Sequence, residues 1–587
     1  MAKVSTQRAN LEMDLTRLLI ECITGHSTIM FRAPFNADSE PDKSEELIPV
    51  ALSRKKNYLT VGESIDPEDW QKEEVPNFNA DTIFNRVVAV YNKRINNPDK
   101  TDTSGVNGNI ILLHDAGGDR SATVEATGKI IRFFQSRGYT FTTVADLLGK
   151  KPEDVMPEVP KGSGYYALQA NYIFAEIGYL SGAFLYALFL LFLLLSAIRL
   201  IVIFILAALE RKTETLKNNT AITINQYPLV SIIVPAYNEE VNAVNSIENL
   251  LKCNYPVFEI IFIDDGSTDA TYKKVTDAFE FNSLVKILTK SNGGKASALN
   301  HGIEHSAAQY VVCIDADTQL ATDAVSKLMQ HFLNPIGGQK IGAVAGTVKV
   351  GNEINVLTKW QSIEYTVGQN LDRKAFAQVN AITVVPGAIG AFNKTVLLEA
   401  GGFTTDTLAE DCDLTIRILK LGYQITNEQN AVAFTEAPET VKQFLKQRFR
   451  WSFGVMQTFW KHKELLFNTK YKALGFIAFP DMLLFKYIIP LFSPIADFLM
   501  VIGLLTDNAA KIGRYYLVFI IVDAITASIA FAFAKEKVWK LVWLIPQRLI
   551  YRWLMLWVLF KSMRQAIKGE LQHWGVLKRT GNVKDIV

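Results

Sequence analysis

The chain has 587 residues, more than a single hydrophobic core usually serves, so several domains are expected. A hydrophobic fraction of 49%, concentrated in a few long runs, points to a membrane, and a net charge of +2 argues against a whole-molecule field that would gather nucleic acid. The four cysteines, Cys22, Cys253, Cys313 and Cys412, form no CxxC pair, which argues against a disulfide framework or structural zinc and predicts buried free thiols in a reducing compartment.

Residues 1–20 carry a mixed helical pattern without the central apolar run of a secretory signal. Up to residue 150 the pattern is α/β: Asn109–His114 reads as a buried strand, Ser121–Arg137 as a helix closed by Gly138, and Tyr139–Val144 as another strand. Residues 151–172 read as a linker with prolines, glycines and charges. Residues 173–209 are apolar except for Glu176 and Arg199, long enough for one transmembrane helix. Arg211, Lys212 and Lys217 follow at once, placing its C-terminal end in the cytoplasm and the N-terminal region outside.

Residues 221–440 alternate strands and helices, with Val230–Pro235, Glu259–Asp264, Lys286–Thr289, Tyr310–Asp315 and Ala343–Val348 as the clearest strands. Such alternation predicts an α/β domain with a mostly parallel sheet, whose ligands bind beyond the carboxyl ends of the strands. Residues 441–470 read as basic, aromatic helices lying in a membrane interface. Residues 474–562 hold apolar runs for three or four more crossings, and 563–587 form a basic tail.

The acidic motifs fall at the predicted strand ends. Tyr237 and Glu239 follow the first strand and Asp264-Asp265-Gly266-Ser267 the second; paired carboxylates on such a turn can hold a base and ribose, although a lone DDGS is as often a solvated turn. Lys295, in the glycine loop Ser291–Ala296, can approach phosphate, while a loop lysine is more often merely solvated. Asp315-Ala316-Asp317 closes a buried strand: Asp317 suits a divalent ion bridging to diphosphate, with Asp315 near ribose or metal, and the competing reading is a helix cap. In Glu410-Asp411, Asp411 is the candidate general base, against a plain helix-dipole complement for both carboxylates. Gln447-Arg448-Phe449-Arg450-Trp451 adds an arginine suited to diphosphate and an indole suited to a sugar face; basic aromatic segments also occur in ordinary interfacial helices, but not in this order after four acidic or glycine motifs.

On DDGS at 264–267, DAD at 315–317, ED at 410–411 and QRFRW at 447–451, residues 228–460 resemble the processive family 2 glycosyltransferases, which include hyaluronan, chitin, cellulose and poly-N-acetylglucosamine synthases. The resemblance implies a GT-A type mixed, mostly parallel sheet with transmembrane α-helices. It implies that Tyr237, Glu239, Asp264, Asp265, Lys295 and Asp315 bind nucleotide and Asp317 binds Mg²⁺ or Mn²⁺. Asp411, beside Glu410, would be the base; Gln447 and Arg450 would bind diphosphate, and Trp451 would stack acceptor. Ala409 stands where that family commonly has Thr, and Pro386–Phe392 sits where it places an acceptor-contacting loop.

Residues 30–148 resemble the later part of the NodB-like polysaccharide deacetylases through Phe31–Phe35, Asp66–Trp70 and Leu112–Asp115. That family's early aspartate motif and metal-binding histidine pair precede these segments, and residues 1–29 supply neither, so no deacetylase activity is expected and Met1 reads as an internal start or a cut within a longer bifunctional protein. A fused deacetylase remnant favours UDP-N-acetylglucosamine as donor and a β-1,6 polymer over a β-1,4 one. The expectation is therefore an inverting, processive synthase in the cell's inner membrane, its transferase domain cytoplasmic, with accessory export subunits as further partners. The alternatives are a non-processive transferase with a short or lipid-linked product, and a membrane scaffold or transporter with an inactive transferase domain.

Overall fold

The computed structural model describes residues 5–34, 37, 43–71, 75, 77–96, 110–115, 118–218, 227–335, 338–504, 509–568 and 581. Phe35, Asn109 and the tail residues Lys578 and Arg579 lie outside them. The chain divides into two compact units, Met1–Phe184 and Leu185–Val587.

In the first unit Met30–Phe31 (β1) pairs in parallel with Leu59–Thr60 (β2). The Ala80–Asn96 helix buries Ile83, Val87 and Tyr91, and the expected helix at 121 runs Ser121–Gln135, burying Ala126, Ile130 and Phe134 at the same helical spacing. Two expected strands are corrected. Asn109–His114 reduces, in its described part, to a single bridge between Ile111 and Ile65. Tyr139–Val144 is no strand: Thr143 caps a short helix, Val144–Leu147, with Asp146 completing a capping box. The segments Asp66–Trp70 and Leu112–Asp115 meet, since buried Asp69 lies 2.7 Å from His114 Nδ1 and accepts from Thr123 Oγ1 at 2.9 Å.

The second unit is built on an eight-stranded mixed sheet of Val230–Ala236 (β3), Phe258–Asp264 (β4), Val285–Thr289 (β5), Tyr310–Cys313 (β6), Gln319–Leu320 (β7), Ile341–Val350 (β8), Gly390–Asn393 (β9) and Gln424–Thr435 (β10). Their order is β5-β4-β3-β6-β9-β8-β10-β7. β5, β4, β3 and β6 run parallel, as do β8 and β10, whereas β9 and β7 run against their neighbours. All five expected strands are present; β6 ends at Cys313, two residues earlier than expected. Strand side chains alternate between two buried faces, Ile233, Ile261 and Val311 in one core and Ile232, Phe262 and Val312 in the other, which explains the near-continuous apolar runs. Cys313 and Cys412 are buried as expected, but Cys22 and Cys253 are only half-buried.

The long apolar helix spans Ser163–Asn218, starting inside the expected linker. Among the described residues two helices are long and apolar enough to cross a membrane, Ser163–Glu210 and Leu474–Pro494, while Ile520–Ala534 is apolar but shorter. The second of these falls among the three or four later crossings expected, and charges within the other late helices have partners on neighbouring ones: Arg548 binds Asp523 at 2.6 Å, and Arg552 pairs with Asp497. Arg199 likewise binds Asp372 at 2.8 Å and Asp481 at 2.5 Å. The Val441–Lys461 helix does not merely rest on a surface, since Phe444, Gln447, Arg448, Phe449 and Phe453 are all buried within the unit.

The Lys295–Glu304 helix rides closely on β3 and β4: a Cβ at Gly302 would lie 2.6 Å from Ile263 Cδ1 and 2.7 Å from Ile233 Cγ2. Gly302→Val overpacks this contact and should destabilise the protein by about 1–3 kcal/mol, read as a lower midpoint in denaturant unfolding.

Candidate active site

The site candidates sit on turns that leave the carboxyl ends of the parallel strands. Register pairs Ala236 with Asp264, so the loops after β3 and β4 start side by side. They interlock: Asn238 N–H donates to Ser267 Oγ at 2.9 Å, Thr268 N–H to Asn238 Oδ1 at 2.8 Å, and Glu239 N–H to Thr271 Oγ1 at 2.8 Å. This pins Tyr237 and Glu239 next to the DDGS turn. Gly266 takes φ +71°, and a Cβ there would lie 2.8 Å from Asn292 N, so this turn and the glycine loop require a residue without a side chain.

The two aspartates of that turn are held differently. Asp265 accepts from Lys290 Nζ at 2.8 Å, Gly293 N–H at 3.0 Å and Gly294 N–H at 2.7 Å, so its carboxylate organises the glycine loop. Asp264 accepts from Ser267 N–H at 3.2 Å, while its buried Oδ1 has no hydrogen-bond partner among the described residues. Burying an acceptor unsatisfied costs about 1–3 kcal/mol, so a ligand N–H or O–H there would recover real binding energy.

Lys295, the first residue of its helix, joins the remaining strand ends. Its ammonium pairs with Asp315 and lies 3.7 Å from Glu410 Oε1. A Cβ at Gly387, in the loop entering β9, would lie 2.7 Å from Lys295 Nζ and 3.9 Å from Asp411 Oδ2. Lys295, Asp315, Gly387, Glu410 and Asp411 therefore share one small volume. Burial alone would lower the Lys295 pKa, but Asp315 and Glu410 hold it above the ordinary range. Burial first, then the charge of Glu410, push Asp411 up to about 6, with Lys295 opposing.

Asp317 is 5% exposed and its Oδ1 accepts from Thr318 Oγ1 at 3.3 Å. Among the described residues no three His, Cys, Asp or Glu side chains gather as a metal cage. The donor set still fits a hard divalent ion of the Mg²⁺ type, which takes one or two carboxylates and completes its shell with water and substrate phosphate.

The Glu410–Lys420 helix and the Val441–Lys461 helix are locked together. A Cβ at Gly454 would lie 2.7 Å from Ala409 N, and Leu408 N–H donates to Gln457 Oε1 at 3.0 Å, so the QRFRW helix abuts the residues just before Glu410. Trp451 packs on the core that holds Ala388 and Ile389, the neighbours of Gly387. Gln447 is 6% exposed, and its Oε1 has no hydrogen-bond partner among the described residues; Arg450 is half-buried.

Sequence reasoning missed the clamp beneath this junction. Asp413 is fully buried and meets Arg417 Nε at 2.8 Å, Lys461 Nζ at 2.8 Å, His462 Nε2 at 2.9 Å and Thr404 Oγ1 at 2.9 Å. Burial alone would raise its pKa, but His462 and Lys461 hold the carboxyl well below the usual range. Asp413 was visible beside Glu410-Asp411, but no local pattern tied it to His462. Asp413→Asn takes a fully buried carboxylate out of these contacts and should cost about 1–3 kcal/mol, measurable as a drop in unfolding free energy.

Comparison with known proteins adds an independent observation. Residues 231–396 match the model of glycosyl transferase family 2. The chain is 29% identical over 280 residues to a poly-beta-1,6-N-acetyl-D-glucosamine synthase of Staphylococcus aureus, covering 47% of this chain and 67% of that one. It is 32% identical over 236 residues to the synthase of the same name from Staphylococcus epidermidis, covering 39% of this chain and 56% of that one. A mannosyltransferase from Pyrobaculum calidifontis, solved with GDP-Man and Mn2+, superposes with a TM-score of 0.42 at 20% identity over 58% of this chain and 99% of its own, a likeness that carries no argument. The match to glycosyl transferase family 2 falls on the strands and turns from β3 to β9, which carry Tyr237, Asp264, Lys295 and Asp315.

Proposed function

We propose that the protein is a membrane-integrated, processive, inverting glycosyltransferase that polymerises N-acetylglucosamine from UDP-N-acetylglucosamine into a β-linked polysaccharide and passes it across the membrane. The observation that carries this reading is the meeting of Lys295, Asp315, Glu410 and Asp411 around Gly387, with the QRFRW helix packed on Leu408–Ala409. The likeness to the staphylococcal synthases supports the donor and a β-1,6 linkage. The two long apolar helices support a membrane location, and Arg211, Lys212 and Lys217 after the first support a cytoplasmic transferase domain.

Each residue has a role that follows from its chemistry. Tyr237, Glu239 and Asp264 line the nucleotide end, and Asp265 shapes the glycine loop around it. A divalent ion held by Asp317 would neutralise diphosphate charge and so ease its departure. Gln447 and Arg450 hold the leaving diphosphate, the arginine through its planar fork. Trp451 offers its indole face to the acceptor sugar. Asp411 takes the proton from the acceptor hydroxyl as the new glycosidic bond forms, and a carboxyl tuned to about 6 is a competent base at neutral pH. A polysaccharide cannot cross hydrocarbon with its hydroxyls unsatisfied, so a synthase on the inner side needs the adjoining helices as a lined path. The first unit is, on this reading, a deacetylase-like remnant without hydrolytic activity.

Purified protein given UDP-N-acetylglucosamine and Mg²⁺ or Mn²⁺ should release UDP and build polymer, and Asp411→Asn should lower both by about 10²–10⁴-fold. Absence of UDP release from the unaltered protein with any common UDP-sugar would overturn the proposal. The pH profile gives a separate check. Asp411 acts only when ionised, so kcat/KM should rise with pH and level off above about 6. Because Lys295 favours the ionised form, Lys295→Gln should move that limb to higher pH; a limb that stays in place would separate Asp411 from the titration.

A further inference from the structure

The second residue of the QRFRW segment has no role in the reading above, yet Arg448 is 2% exposed. Its Nη2 donates to Glu364 Oε2 at 2.7 Å and lies 3.4 Å from the Tyr551 hydroxyl, which itself donates to Glu364. Nε and Nη1 find no hydrogen-bond partner among the described residues. They lie instead among rings: the guanidinium carbon is 4.3 Å from the centroid of Trp451, 5.2 Å from Phe444 and 5.6 Å from Tyr365. The ring of Tyr365 stands 6.2 Å from that of Trp451, inclined by 37°. A buried cation that leaves N–H groups without acceptors is costly to keep if packing alone is wanted. A planar cation against an indole is what arginine supplies and lysine does not.

Three segments converge on this cation. Arg448 and Trp451 are three residues apart on one helix and so share a face. Glu364 ends the Val356–Glu364 helix, and Tyr365 opens the π-helical turn Tyr365–Asn370, whose widened winding presents consecutive residues to the same neighbour. Tyr551 comes from the Leu544–Lys568 helix, beyond the transferase domain. That helix is tied down next door, since Gln547 donates to the Trp360 carbonyl at 3.0 Å and Trp360 donates to the Trp543 carbonyl at 3.0 Å.

We infer that Arg448, locked by Glu364 and Tyr551, is a positioning residue that fixes the Trp451 indole as the acceptor platform and ties that platform to the Leu544–Lys568 helix. This rests on the proposed synthase function, in which Trp451 carries the acceptor. The lock sets how long a growing chain stays in register between transfers, and so governs product length rather than donor use.

The test compares Arg448→Lys and Tyr551→Phe with the unaltered protein in detergent, given UDP-N-acetylglucosamine and Mg²⁺. UDP release, donor KM and product length are read together. Both variants should shorten the polymer at least fivefold while donor KM stays within twofold. A merely structural role would lower UDP release and polymer mass together at constant length, because fewer molecules would be folded; that result overturns the inference and leaves the synthase reading standing. Unchanged length in both variants overturns it equally. No UDP release from the unaltered protein overturns the synthase reading, and this inference with it.

Discussion

A single ammonium group among carboxylates organises the candidate site. Asp315, Glu410 and Asp411 come from two separate segments, and three acids so close would repel one another strongly in a buried setting. Lys295 stands between them, pairing with Asp315 and lying 3.7 Å from Glu410. Its place is set by backbone geometry. It is the first residue of a helix pressed onto β3 and β4 at Gly302, and its ammonium occupies the space that a side chain at position 387 would need. The same balance leaves Asp411 less acidic than an ordinary aspartate but still ionised at neutral pH.

The sheet explains why residues so far apart in the chain arrive together. Parallel strands put every turn that follows them on one edge, and β3, β4 and β6 deliver Tyr237, Asp264 and Asp315 there. β9 runs the opposite way beside β6, so it is the loop entering it, not leaving it, that reaches the same edge; Gly387 lies on that loop. Helix starts supply the rest, Lys295 and Glu410 each being a first residue. The site is therefore a meeting of strand ends and helix beginnings, where backbone N–H groups such as those of Gly293 and Gly294 already point at carboxylate.

Much of this was legible in the sequence because it depends on local pattern. Buried parallel strands write themselves as apolar runs, which in β3, β4 and β6 lead into acids; β8 shows the same kind of run without the acid, and β5 a shorter, partly exposed one. Short β7 and β9 lack the length to show such a run, and β10 is broken by a register shift between Asn427 and Val432. Tyr139–Val144 has strand composition but no partner strand among the described residues, and a threonine cap won locally. The role of Asp265 in holding the glycine loop, the Asp413–His462 clamp and the Arg448–Glu364–Tyr551 lock all depend on contacts across 25 or more residues, which no spacing rule encodes.

Two of these long-range contacts, the clamp and the lock, share one helix. Val441–Lys461 touches the residues just before Glu410 through Gly454 and Gln457, the clamp through Lys461, and the Leu544–Lys568 helix through Arg448 and Tyr551. Arg448 is buried against Glu364, and Lys461 reaches the fully buried Asp413, so the helix cannot tilt without leaving a buried charge uncompensated, a cost of several kcal/mol. On the proposed function, rigidity of that kind would let one ring and one carboxylate from different segments face the same sugar, since catalytic geometry tolerates errors of only a fraction of an ångström. The buried charges of this helix are thus better understood as fixing a relative position than as adding to stability, for which apolar residues of the same size would serve as well.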